Sequence, residues 1–230
     1  MDRKKHILGI VGCLALALTS VARADLTLQI GENGGPLVTV ANVVGSPTTP
    51  GGVTGLLDSF TTAHYSITIL AATEEQTLSL SHLVTTNLSI TKLDDSATTL
   101  NMVSTGTGFT GPVTPPDINV NSQIGGSIVL TGPANTLNFE SFVGGLGQGV
   151  QSPNITSPAA YADTLNTIVG SLSSPYTISQ TFDLFLTATD NQLGTHATTE
   201  LAPIPEPAAV ALVLLGLIGL GPLAWRRRLA

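Results

Sequence analysis

Three histidines, two acid pairs, one Asp/Asn-rich run and one glycine–serine turn are the residues between Asp25 and Pro203 whose types carry chemistry. His64, His82 and His196 are far apart in sequence and match no helical metal-ligand spacing such as H-E-x-x-H. Glu74-Glu75 and Asp94-Asp95 offer carboxylate oxygens that suit Ca²⁺ or the acid and base of a glycosidase, but read first as solvated loop residues. Asp117, Asn119 and Asn121 fit the first three ligand positions of a helix–loop–helix calcium loop. Ser122 stands where its glycine should turn and Ile128 where its glutamate should chelate, so a strand with Ile118 and Val120 inward explains the spacing better. Gly125-Gly126-Ser127 lacks the last glycine of a G-x-S-x-G elbow and precedes a strand pattern rather than a helix. These residues point to no catalytic site, no metal and no cofactor.

Recognition surfaces are sparse as well. Nine aromatics occur between residues 25 and 203, with no tryptophan, and most fall on alternating positions that read as packing. Among them Phe109, set among Gly106, Gly108 and Gly111, is the best candidate for an exposed sugar platform. Thr105-Gly-Thr107 and Thr187-Ala-Thr189 are Thr-x-Thr pairs of the kind flat ice-binding faces use, without a repeating lattice around them.

The elements that would position such residues read as strands. Residues 25–203 hold 31 threonines, a β-branched type that suits pleated surfaces. Period-two alternation recurs at Leu26, Leu28 and Ile30, at Leu78 and Leu80, at Leu88 and Ile90, at Ile118 and Val120, and from Ile178 through Phe182, Leu184 and Leu186. Gly/Pro/Asn clusters separate these runs. Only 159–172 hints at a short helix, with Ala159, Ala162, Leu165, Ile168 and Val169 on one face. The expected fold is all-β, an antiparallel β-sandwich of jelly-roll kind over residues 25–193, with 194–207 as an extended tether.

Charge is partitioned unevenly. Lys92 is the sole Lys or Arg between residues 25 and 203, against thirteen acids, giving that region a net charge of −12 where the whole chain has −7. Such a field repels nucleic acid and anionic surfaces.

Both ends are greasy. Arg3, Lys4, Lys5 and His6, then an apolar run over 7–18, then Ala22-Arg23-Ala24 have the three zones of a secretory signal peptide over 1–24, cut after Ala24. Ile10-Val11-Gly12-Cys13 is a competing lipoprotein-like box, but it leaves too few apolar residues before the cut. Cys13, the only cysteine, leaves with the leader, so the remainder has no disulfide or thiol. Residues 208–225 carry no charge and as a helix would reach about 27 Å, near the ~30 Å hydrocarbon core of a bilayer. Arg226, Arg227 and Arg228, each costing about 2.5–3.5 kcal/mol at the bilayer centre, would stop the span at the cytoplasmic side.

Pro205-Glu206-Pro207, the Leu/Gly-rich span and the terminal arginines together resemble the PEP-CTERM sorting tail of Gram-negative bacteria, a tail also labelled an ice-binding protein C-terminal domain. The resemblance covers about an eighth of the chain. It implies recognition and cutting by a membrane-embedded exosortase, with Pro205, Glu206 and Pro207 as the sorting signal, 208–230 as span and stop, and an inner-membrane intermediate bound for the cell surface or the extracellular matrix. The expectation is a non-catalytic surface or matrix protein in contact with exopolysaccharide. A carbohydrate- or ice-binding module is the alternative, and a secreted hydrolase a more distant one.

Overall fold

The computed structural model describes residues 25–44, 53–76, 81–111, 117–129, 135–155 and 158–204. The signal-peptide region with Ala22 and Ala24, the sorting signal Pro205-Glu206-Pro207, the 208–225 run and Arg226, Arg227 and Arg228 lie outside them, as do Leu78 and Leu80. No described residue is helical.

Twelve strands follow one another: β1 (Asp25–Glu32), β2 (Val38–Val44), β3 (Val53–Thr61), β4 (Tyr65–Gln76), β5 (Ser81–Lys92), β6 (Thr98–Phe109), β7 (Asp117–Val129), β8 (Thr136–Val143), β9 (Leu146–Gln151), β10 (Ala159–Val169), β11 (Tyr176–Leu186) and β12 (Gln192–Ile204). They form two six-stranded antiparallel sheets ordered β2-β1-β6-β11-β8-β9 and β10-β7-β12-β5-β4-β3. The inward alternation read from sequence holds: Leu26, Leu28, Ile30, Leu88, Ile90, Ile118, Val120, Ile178, Phe182, Leu184 and Leu186 are all buried in one core between the sheets. Phe139 and Phe182 pack there with ring centroids 5.1 Å apart.

A polar layer crosses this core. In the first sheet Gln180 of β11 stands between Ser104 and Ser141. In the second, Thr199 of β12 stands between Leu83 and Ser122. The layers meet: Gln180 Nε2 donates to Leu83 O and to Thr199 Oγ1, each at 3.0 Å, and Ser122 and Ser141 share a hydroxyl hydrogen bond. Gln151 Nε2 adds a fourth link, to Ser122 O at 3.0 Å. Buried polar groups cost energy unless paired, so this layer favours one mutual register of the sheets over slipped ones.

Two expectations are corrected. Of residues 159–172, where a short helix was expected, 159–169 form edge strand β10, paired with β7 from Ala159↔Ile128 to Val169↔Ile118 without a break. Apolar residues at helical spacing there coexist with a period-two set, because Tyr161 and Val169 point inward while Ile168 is 65% exposed. The open edge of β7 decides between the two patterns. The tether expected over 194–207 is also a strand as far as Ile204: β12 is central, paired with β5 on one side and β7 on the other. Its inward residues Thr195, Ala197 and Thr199 are small or hydroxylated, so the segment lacks the large apolar alternation that marks a buried strand.

The sandwich has two poles. Gly111 O accepts from Ser81 Oγ at the start of β5 and from Tyr176 OH at the start of β11, which places Asp25, Asp117, Tyr176 and Ile204 at one end. The turn at 33–37, His64, 93–97 and 187–191 gather at the other, where Asn33 N bonds Thr99 O and Lys92 N bonds Asn191 O.

Candidate functional site

The densest set of titratable side chains lies at the second pole. Lys92, the last residue of β5, is wholly buried, with Nζ 4.8 Å from the centre of the Tyr65 ring and ion-paired to Asp94. Asp94 Oδ2 lies 2.7 Å from His64 Nδ1, and Asp94 Oδ1 accepts from Ser96 Oγ at 2.7 Å. The Lys92 ammonium first, then Ser96 and His64, hold the Asp94 carboxyl well below the usual carboxylate range. Asp95 turns away to accept the Thr189 backbone N–H at 2.9 Å, which lowers its pKa too. Glu32 completes the rim, accepting from Thr62 Oγ1.

Ser96, His64 and Asp94 are the side chains of a hydrolase triad in a geometry that does not serve as one. Serine and aspartate both address the same imidazole nitrogen, 3.1 and 2.7 Å away. A triad needs the carboxylate on one ring nitrogen and the nucleophile on the other. With Asp94 ionised, Nδ1 must carry the proton it donates, and the Ser96 hydroxyl donates to the same carboxylate rather than to a base. The cluster acts as a latch that ties three loops to β5.

Asp94 and Asp95 lie in the turn between β5 and β6, as the sequence reading had them, Asp95 exposed and Asp94 partly so, and both are hydrogen-bonded there. Glu74 and Glu75, expected in a loop, belong to β4, where they pair with Thr54 and Val53. His82 sits opposite Glu200 on β12, and His196 faces outward beside Gly125, so neither joins His64. Among the described residues no group of three His, Cys, Asp or Glu is placed to hold a metal. Asp117, Asn119 and Asn121 open β7, with Ile118 and Val120 inward, as the strand reading required.

Phe109 belongs with the packing aromatics. It is 0% exposed and stacks on Tyr176 at 5.6 Å, so it is core and no sugar platform. Its glycine neighbours shape the backbone around it; Gly108 has φ 81°. Burial pushes the Tyr161 and Tyr176 hydroxyls up to about 12, which leaves both as neutral hydrogen-bonding groups. Thr105 lies on the outer face of β6, whereas Thr187 and Thr189 follow β11 and bond Asn135 and Asp95 through their N–H groups, so the two Thr-x-Thr pairs share no face.

The second sheet's outer face has a 340 Å³ depression over Gly126, Ser127, Gly194 and His196. His196 is the one titratable side chain in its lining, so it provides no acid–base pair. Sequence reasoning missed the latch; a lone lysine in a chain of acids was the available signal.

No protein-family description matches this chain, and no curated protein does. A solved structure of the infectious bursal disease virus Gx strain is similar at 9% identity, covering 82% of this chain and 66% of that one, with a TM-score of 0.21. That score is too low to relate the two folds.

Proposed function

We propose that this chain is a non-catalytic exported protein of the cell surface or extracellular matrix, sorted through Pro205-Glu206-Pro207 and trimmed by an exosortase while its 208–225 run spans the inner membrane. The observation that carries the reading is the order of signal, apolar run and Arg226-Arg227-Arg228 behind a β-sandwich, with a leader-like segment in front. Two features support it. Lys92, the one basic side chain between residues 25 and 203, is inside the protein, so that region presents no lysine or arginine to nucleic acid. The latch and the depression also lack catalytic geometry. The eight strands β5 to β12, ordered β5-β12-β7-β10 and β6-β11-β8-β9, follow the two-Greek-key pattern of a jelly roll, with β3 and β4 added to one sheet and β1 and β2 to the other. Replacing Pro205, Glu206 and Pro207 by alanine leaves export intact and blocks removal of the tail, read as an unshifted mass. Wild-type protein that keeps Arg226-Arg227-Arg228 in a host with an active exosortase makes the segment a plain anchor instead.

A carbohydrate-binding module is the second reading. It is favoured by outer strand faces that carry amide and hydroxyl side chains, such as Asn121, Gln123, Thr164 and Asn166 on adjoining β7 and β10. Saturable retention of residues 25–204 on one glycan class of an array selects it.

A further inference from the structure

Each sheet has two edge strands, and three of the four are irregular. β2 meets β1 with a register shift at Leu28/Gln29, β3 meets β4 with one at Leu56/Asp58, and six-residue β9 meets β8 with one at Glu140/Phe142. Bulges, shortness, lysines and prolines are how sheet edges avoid pairing with other chains. β10 has none of these. Its eleven residues, about 36 Å long at ~3.3 Å each, pair with β7 in unbroken register, and among the described residues no strand pairs its other side. The side of the sandwich that β10 forms with β9 is also poor in charge. Residues 144–169 include Asp163 as their one charged side chain, in a region whose net charge is −12. On the bordering strands the carboxylates are Glu140 of β8 and Asp117 at the first position of β7. Four of the seven large apolar side chains exposed among the described residues gather here: Leu146 and Val150 on β9, Ile168 on β10 and Val129 at the end of β7.

We propose that β10 pairs with β10 of a second copy of this chain, antiparallel about a two-fold axis through Thr164, so that the second sheets of the two copies become one. Opposite residues must send their side chains to the same face, so the axis passes through a residue and not between two. Centred on Thr164, all eleven residues find partners. Asp163 then falls opposite Leu165, Tyr161 opposite Thr167 and exposed Ile168 opposite Ala160, while Thr164 meets its own counterpart in a favourable hydroxyl pair. An axis through Asp163 or Leu165 leaves two residues of each strand unpaired, and the former sets two carboxylates face to face. The pairing satisfies the backbone groups that alternate residues of an edge strand turn to solvent. Charge selects this side for self-association: two copies that each carry −12 approach most easily where each brings one carboxylate on the paired strand. The contact is independent of how the tail is processed.

The test uses the full chain with Cys13→Ser in a non-ionic detergent. Opposite residues of an antiparallel ladder have Cα atoms about 4.5 or 5.5 Å apart, within the span of a disulfide. Thr164→Cys should therefore cross-link two copies on oxidation with copper phenanthroline, whereas Ser59→Cys, exposed on edge strand β3 of the same sheet, should not. Sedimentation of the Cys13→Ser chain should show a dimer. Thr164→Asp, which sets two carboxylates face to face, should be monomeric with an unchanged unfolding midpoint, and Asp163→Asn should raise the dimer fraction. A Cys13→Ser chain that stays monomeric, or Thr164→Cys that cross-links no faster than Ser59→Cys, overturns the pairing. A folded Thr164→Asp chain that remains dimeric puts the contact elsewhere, the 208–225 run included, and overturns it too. If Thr164→Asp does not fold, the cross-link at residue 164 decides alone.

Discussion

Gln180 of β11 and Thr199 of β12, on opposite sheets, join hands at the centre of the sandwich, with Gln180 Nε2 3.0 Å from Thr199 Oγ1. Both are wholly buried, and the same amide also reaches Leu83 O. Gln180→Met keeps the side chain's length and removes the donor. The variant should lose about 1–3 kcal/mol, because Thr199 and Leu83 O then have one fewer partner in a dry core. Urea titration reads this as a lower midpoint with an unchanged slope. An unchanged midpoint would mean the link carries nothing.

The latch predicts an acid limb. The folded-state pKa of Asp94 is depressed below its ordinary 3.8, so its contribution is fully present above that pH and is lost as pH falls below it. Wild type should therefore weaken progressively from about pH 4 downwards. Asp94→Asn should be less stable than wild type at pH 7, with buried Lys92 deprived of its counter-charge. It should also show a flatter stability profile below pH 4. Chemical unfolding at stepped pH separates the two; parallel acid limbs would remove Asp94 from the account.

Phe109 makes a prediction opposite to the one its glycine-rich surroundings invite. An exposed sugar platform would tolerate Phe109→Ala with little loss of stability. A residue with no exposed surface, stacked on Tyr176, should cost about 3–5 kcal/mol. Calorimetry of the variant decides between them.

Gly126 and Gly125 are neighbours in one strand with different tolerances. A Cβ on Gly126 would stand 2.0 Å from Gly194 O and 2.8 Å from Thr195 Cα, backbone atoms held in the ladder. On Gly125 it would meet the His196 ring at 3.1 Å, a side chain able to turn. Gly126→Ala should cost about 3 kcal/mol or more and Gly125→Ala clearly less. Equal midpoints for the two would show that β7 and β12 lie further apart than described.

The strands were legible wherever one face is lined with large apolar residues, as in β1, β5, β7 and β11, because burial on one face writes a period of two into the sequence. They were not legible where packing needs little volume. Thr195, Ala197 and Thr199 fill the inner face of β12 beside the polar layer, and such residues look the same in a linker. In β10, Ala159, Ala162, Leu165 and Ile168 fit a helix equally well until an open edge of β7 selects the strand. The latch was hidden for another reason: His64, Lys92 and Asp94 come together only when the loop before β4 meets the end of β5, a contact that no spacing encodes.

The position of β12 makes the domain boundary testable. As a tether, residues 194–204 could be removed without harm; as a central strand they hold β5 and β7 together. A chain ending at Leu193 would leave both neighbours with unpaired backbone groups and remove Thr199, Ala197 and Leu201 from the interior. It should fail to fold or aggregate, seen as lost cooperative unfolding, whereas a chain ending at Ile204 should unfold in one transition. Cooperative unfolding of the shorter chain would return residues 194–204 to the linker.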